Sequence, residues 1–247
     1  MLLASLFYTI EIYADFSGYS DLAIGISNLL GFSIKENFNA PYLADSVGDF
    51  WRRWHISLSS WLKDYIYIPL GGSRCSRFRN AFNLLITFLI SGIWHGSSIN
   101  FVLWGGIHGV AQIIERNLKG ILRKIVKPVR IVMVWIFINF SWVIFRLTTF
   151  EEIEYFFKNM LVGISHPVNY VISAQQSMHM DAFTCARLFL LIIGIMFFDF
   201  LSQKNSFLKR IIETKRWKRN LIFAISLVVL FILLPVELAT DYIYFRF

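Results

Sequence analysis

Apolar residues fall along this chain in long runs, and the polar residues collect between the runs rather than alternating with them. A helix that crosses a bilayer needs about 20 mostly apolar residues. The runs Val129–Leu147, Thr184–Leu201 and Leu221–Val236 meet that requirement. Leu2–Phe32 is also long and apolar, but Asp15-Phe-Ser-Gly-Tyr-Ser-Asp21 interrupts it. Phe82–Glu115 has a small, polar centre made of Ser91, Gly92, His95, Gly96, Ser97, Ser98 and Asn100. Each of its arms holds about 13–16 residues, or roughly 20–24 Å of helix. The pattern predicts a hairpin or broken helix pair with His95 at its tip. Non-helical backbone at such depth must be buried in protein or line a wet cavity.

Ser46–Leu70 reads as an interfacial helix. Ser46 and Asp49 have the spacing of a capping box. Phe50, Trp54, Leu58, Trp61 and Tyr65 recur at three- and four-residue intervals, as one helix face requires. Arg52, Arg53, Lys63 and Asp64 are too many charges for a lipid-facing span, and tryptophans at 51, 54 and 61 suit the headgroup level. Pro69 and Gly71–Gly72 then end the helix.

Charge orients the spans. Of the 24 basic residues, 16 fall in three short stretches: Arg74–Arg79, Arg116–Arg130 and Lys204–Arg219. Thr148–Phe183 instead carries Glu151, Glu152, Glu154 and Asp181 against a lone Lys158. Basic and non-basic segments therefore alternate across Val129–Leu147, Thr184–Leu201 and Leu221–Val236. This is the positive-inside pattern, and it predicts a C-terminus on the outside. Both ends of Phe82–Glu115 are basic, so both are expected on the cytoplasmic side. The net charge of +8 is thus explained by topology. Nucleic acid is the weaker reading, because no basic face lies on a soluble domain.

Composition agrees. Charged residues make up 16% of the chain, well below the ~25% of soluble domains, and mean hydropathy is +0.57. The fold expected is an all-α polytopic membrane protein, with residues 1–247 forming a single membrane domain. Cys75 and Cys185 have no ligand-like spacing and read as structural or incidental. No basic n-region with a cleavage site opens the chain, which starts inside an apolar run. Further helices are expected to precede it.

The candidate chemistry centres on His95, in Ser91-Gly-Ile-Trp-His-Gly-Ser-Ser-Ile-Asn100. An ionisable residue within a membrane segment is a functional-site candidate by default. A neutral imidazole there could accept a proton; the alternative is a histidine engaged in a helix–helix hydrogen bond. His55, in Trp51-Arg-Arg-Trp-His-Ile-Ser57, reads on its own as an exposed headgroup-level residue, and His108 as packing or supporting the hairpin. His166 and His179 receive no role. The five histidines lack the adjacent-turn spacing of a zinc site, so no metal is expected. Asp15 and Asp21 would each cost about 2.5–3.5 kcal/mol facing lipid at a helix centre, so they should meet protein, water or substrate. They lie about 240° apart on a straight helix, and share a face only if Gly18 breaks it. No Gly-x-Ser-x-Gly elbow, P-loop or dinucleotide fingerprint is present.

Several ordered strings resemble the membrane-bound O-acyltransferase (MBOAT) family of the alginate O-acetylation type. They are Tyr13-Ala-Asp-Phe-Ser-Gly-Tyr-Ser-Asp21, Phe50-Trp-Arg-Arg-Trp-His-Ile-Ser-Leu-Ser59, Asp64-Tyr-Ile-Tyr-Ile-Pro-Leu-Gly-Gly72 and Ser91-Gly-Ile-Trp-His-Gly96. Asn100-Phe-Val-Leu-Trp-Gly105 and Ile243-Tyr-Phe-Arg-Phe247 belong to the same pattern. The resemblance covers most of the chain. It implies an MBOAT-like bundle around a tunnel, with this chain corresponding to the C-terminal half. It implies two catalytic histidines, His95 of the Trp-His-Gly string and His55 upstream, with Trp94, Asn100, Asp15, Asp21, Trp54 and His108 along the tunnel.

The activity so implied is transfer of an acyl group, acetyl first, from a cytoplasmic thioester such as acetyl-CoA across the bacterial inner membrane. The implied acceptor is a cell-envelope or extracellular polysaccharide, reached directly or through a periplasmic or extracellular acetyltransferase partner. No bound cofactor is implied, and membrane lipid surrounds the protein. Two alternatives remain at this level: a non-enzymatic transporter or channel component using Asp15, Asp21 and His95, and an inactive truncated remnant.

Overall fold

The computed structural model describes residues 1–203 and 213–233. The chain runs through α1 (Leu2–Leu29), a 3-10 turn (Pro41–Leu43), α2 (Val47–Arg53) and α3 (Ile56–Leu62), which continues into a π-helical turn (Lys63–Tyr67). Then come α4 (Arg77–His95), α5 (Ile99–Asn117), the short α6 (Lys119–Leu122), α7 (Lys127–Arg146), α8 (Phe150–Asn159) and α9 (Pro167–Ser177). The described part closes with α10 (Ala182–Ser202) and α11 (Arg216–Leu233), and it contains no strand. The all-α expectation holds.

The predicted spans Val129–Leu147 and Thr184–Leu201 are α7 and α10, both long and apolar enough to cross a membrane. At 1.5 Å per residue they measure about 30 Å, the thickness of the hydrocarbon core. α10 buries little of itself and exposes Phe189, Leu190, Ile193, Phe197 and Phe200. In water such a face would be a liability; in lipid it is the expected surface. The third predicted span begins earlier than Leu221, at Arg216. Its predicted end at Val236, the C-terminal side and the Ile243–Phe247 string lie outside the described residues, as do residues 204–212 of the basic loop.

The predicted hairpin is α4 and α5, broken at Gly96–Ser98. Each arm has 19 residues, longer than the 13–16 expected. The reason is that α4 starts at a cap: Ser76 Oγ accepts the Arg79 N–H, so the basic Arg77–Arg79 turn is helical rather than loop. The arms cross at small residues. A Cβ built at Gly92 would lie 2.2 Å from the Phe101 carbonyl oxygen, and one at Gly105 2.2 Å from that of Phe88. Close backbone contact of this kind is how helices pack where lipid offers no hydrophobic drive.

α1 is continuous through Gly18, so the break that would have put Asp15 and Asp21 on one face does not occur. Polar side chains bind α1 to α7: Asn139 Nδ2 donates to Thr9 Oγ1 (2.7 Å) and to the Ser5 carbonyl (2.9 Å), and Ser5 Oγ donates to Asn139 Oδ1 (3.1 Å). Tyr13 Oη, at 2.9 Å from each carboxylate oxygen of Asp199, ties α1 to α10.

The expected interfacial helix Ser46–Leu70 is two helices and a π turn. Its start is as predicted, with Ser46 Oγ accepting the Asp49 N–H at 3.0 Å. The continuous face is not. Trp54 is extended and His55 left-handed (φ 44°, ψ 54°), which separates α2 from α3. Phe50, Trp54 and Leu58 are buried, whereas Trp61 and Tyr65 are exposed. Trp51 and Trp54 are buried within the protein. Both belong to the central aromatic core with Tyr13, Phe16, Phe88, Trp104, Ile138 and Trp142. The break turns these side chains inward, where they bury their apolar area.

Candidate functional site

His55 owes its position to the break between α2 and α3. A non-glycine residue at positive φ is uncommon, and such strain persists where surrounding contacts over-determine it. Those contacts come from the loop after α1. Asn37 accepts the Ile56 N–H on its backbone carbonyl (3.0 Å) and the Ser57 N–H on its side-chain oxygen (3.1 Å). Ser57 Oγ donates to the same side-chain oxygen at 2.6 Å and stands 3.4 Å from His55 Nδ1. On the other side of the break, the Asn39 N–H donates to the Arg53 carbonyl at 3.0 Å. The backbone groups that an unbroken helix would have paired internally are thus paired across the chain.

Trp54 anchors the break from within. Its ring stacks on Phe50 (centroids 5.5 Å apart, 16°) and meets Phe38 at 5.0 Å and Trp142 at 4.9 Å. With Trp54 buried, the next residue is directed the other way. The His55 ring meets Phe16 of α1 edge-on at 4.7 Å and Trp94 of α4 at 6.0 Å.

His95 ends α4. The next residue, Gly96, has φ +155°, and a Cβ there would lie 2.6 Å from the Phe101 ring. Only glycine makes that turn without displacing Phe101, so the chain stops abruptly after His95. Trp104 and Phe145 hold the His95 ring edge-on at 5.2 and 5.1 Å, and Trp94 meets it at 4.9 Å. Trp94 therefore contacts both imidazoles, and it is itself 56% exposed. A cavity of about 350 Å³ opens here, lined by His55, Ser57, Leu58, Trp61 and Trp94. Its walls are two indoles, an imidazole, a leucine side chain and one hydroxyl.

The structure separates the two hairpin histidines by their bonding. His108 is fully buried, and its Nδ1 accepts the indole N–H of Trp51 at 3.2 Å. The neutral tautomer with hydrogen on Nε2 follows. His95 is only partly buried and makes no side-chain hydrogen bond among the described residues. The His108 ring meets Trp104 at 4.9 Å and Phe137 at 5.1 Å.

Of the other residues predicted for the site, Asn100 is buried at the start of α5, where its amide donates to the Phe145 carbonyl at 3.0 Å. It fixes the end of α7 against the hairpin tip and so supports Phe145 beneath His95. Asp15 is half-buried and Asp21 exposed, and neither lines the cavity at His55. Four contributors escaped the sequence reading: Asn37, Ser57, Phe16 and Phe145. Asn37 and Phe145 carry no local signal, because each acts on an element distant in sequence. Ser57 stood inside the Phe50–Ser59 string and Phe16 inside Tyr13–Asp21. Cys75 Sγ lies 3.4 Å from the Gly72 carbonyl and Cys185 is buried; both are free thiols. Among the described residues no three His, Cys, Asp or Glu side chains converge as a metal cage would need.

The chain is similar in sequence to several known proteins. Over 145 residues, 58% of the chain, it is 49% identical to a probable alginate O-acetylase AlgI of Azotobacter vinelandii, of which that stretch is 29%. It is 42% identical over 167 residues, 66% of the chain, to 32% of a peptidoglycan O-acetyltransferase of Helicobacter pylori. A teichoic acid D-alanyltransferase of Bacillus subtilis matches at 33% over 110 residues, 42% of this chain and 28% of that protein. The chain thus spans about three tenths of the length of these relatives. Residues 1–157, which hold both histidines, Trp94 and the hairpin, match the membrane-bound O-acyltransferase family, and the chain belongs to that family.

Proposed function

We propose that this chain carries an O-acyl-transfer site in which His95 is the general base and His55 orients the acyl donor. One observation carries the reading. Two elements, a left-handed break and a glycine-terminated hairpin tip, deliver His55 and His95 to the same indole, Trp94, and His55 and Trp94 line an open cavity. His95 has no side-chain hydrogen bond from the described protein, so its free ring nitrogen is available to an incoming hydroxyl.

In the proposed step an acceptor O–H gives its proton to the His95 imidazole while its oxygen attacks the thioester carbonyl carbon. The C–S bond breaks, and the imidazolium returns the proton to the leaving thiolate. General base catalysis of this kind contributes about 10²–10⁴-fold. The donor proposed is acetyl-CoA or another acyl thioester presented on the cytoplasmic side, where the basic loops attract an anionic molecule. The acceptor proposed is an envelope or extracellular polysaccharide, or a partner acetyltransferase outside the bacterial inner membrane. Acetyl is favoured over D-alanyl by the higher identity to the two acetyl-transferring relatives.

The test uses membranes carrying the chain with labelled acetyl-CoA, and follows both ester formed and free thiol released. His95→Ala should lower ester formation by at least 10²-fold at equal protein level. Unchanged ester formation in His95→Ala would reject the general-base role. Solute flux in proteoliposomes with no thiol released would instead favour the transporter reading.

A further inference from the structure

A second and larger cavity, about 1400 Å³, lies between α5 and α7, away from His55 and His95. It exceeds the ~300–1,000 Å³ usual for a small-molecule pocket. Its walls are two stripes at helical spacing: Val102, Gly106, Val110 and Ile114 on α5 face Met133 and Phe137 on α7. Val110, Ile114 and Met133 are each about half exposed. Gly106 widens the groove, since a Cβ there would come no closer than 3.7 Å to the nearest neighbour, Leu89 Cδ2.

One end of the groove is charged. Arg52, Arg116, Lys119, Arg123 and Arg130 line it against two acids, Asp45 and Glu115. Both acids are engaged by the protein. Asp45 pairs with Arg130 at 2.9 Å, and Glu115 Oε2 accepts the backbone N–H groups of Val47 (2.6 Å) and Gly48 (3.3 Å). Arg52 pairs with Asp49, and Arg116 donates to Tyr67 and Asn80. Lys119 and Arg123 have no ion pair among the described residues, and both are exposed. The rim therefore keeps a positive charge that the protein does not cancel.

The dimensions match half a bilayer. From Val102 to Ile114 the apolar stripe rises about 18 Å, against about 15 Å for one leaflet of a 30 Å hydrocarbon core. Lys119 and Arg123 follow within the next turns, at headgroup depth. An acetyl thioester has no use for such a stripe, whereas an amphiphile with a long chain does. Basic pockets between transmembrane helices on the cytoplasmic side suit anionic headgroups.

We propose that the groove between α5 and α7 binds an anionic phospholipid of the leaflet on the basic side. One acyl chain lies along Val102–Ile114, and Lys119 and Arg123 hold the phosphate. The proposal does not depend on acyl transfer at His95.

The experiment is native mass spectrometry of the purified chain, with phosphatidylglycerol, phosphatidylcholine or coenzyme A added in turn. Phosphatidylglycerol should be retained in preference to phosphatidylcholine. Lys119→Gln with Arg123→Gln should erase that preference, roughly thirtyfold for two surface charges. Gly106→Leu should lose lipid of either headgroup, while Gly106→Ala should keep it. Helix content and melting in detergent confirm that each variant is folded. Equal retention of the two lipids by the unsubstituted chain would overturn the headgroup site whatever the variants do. Displacement of phosphatidylglycerol by coenzyme A would assign the groove to a nucleotide donor instead.

Discussion

The indole N–H of Trp51 donates to Nδ1 of His108 at 3.2 Å, across 57 positions of sequence. This bond pins α2 to α5 and occupies one ring nitrogen of a hairpin imidazole. Trp51→Phe keeps an aromatic side chain but removes the indole N–H and part of the buried ring, and leaving His108 without its donor should alone cost about 1–3 kcal/mol. The expected result is a lower melting temperature in detergent with ester formation per folded molecule unchanged. A fall in turnover at full stability would place His108 in the reaction rather than beside it.

His55 is held at φ 44° by bonds from Asn37. Asparagine visits that region readily, and a β-branched residue does not. His55→Asn should therefore fold like the parent and lose acyl transfer. His55→Val should lose it too and in addition be less stable by about 1–2 kcal/mol, the usual penalty for a left-handed residue. Thermal unfolding of the two variants side by side checks the backbone argument apart from the chemistry. Equal stability would mean that the break does not impose the strain inferred from its dihedral angles.

Gly105 and Gly106 are neighbours on α5 with opposite surroundings. A methyl at Gly105 would overlap the Phe88 carbonyl, whereas one at Gly106 reaches only ordinary contact with Leu89. Gly105→Ala should destabilise the α4–α5 hairpin by about 1–3 kcal/mol, typical of overpacking. Gly106→Ala should be nearly neutral or slightly favourable, because alanine is the better helix former. Limited proteolysis of the hairpin reads the difference.

Much of the scaffold was determined locally and could be read from the order of residues. The spans at α7 and α10 follow from run length, because a membrane helix satisfies its backbone within itself. The hairpin and the position of His95 at its tip follow from small and polar residues between two apolar arms. The cap at Ser46 is a three-residue relationship, so it too was legible. Motif order identified the family and picked out His55 and His95 together.

Tertiary structure decided the rest. Nothing in Phe50–Tyr65 opposes a continuous helix. It breaks because Asn37, 20 positions away from Ser57, supplies the bonds, and because Trp54 is worth more in the aromatic core than on a surface. Asp15 and Asp21 stay on different faces because α1 passes straight through Gly18. Three histidines meet different surroundings for the same reason. A hydrogen-bond partner, or the lack of one, is set by what another helix brings near, and a sequence lists residues without saying which helices will meet.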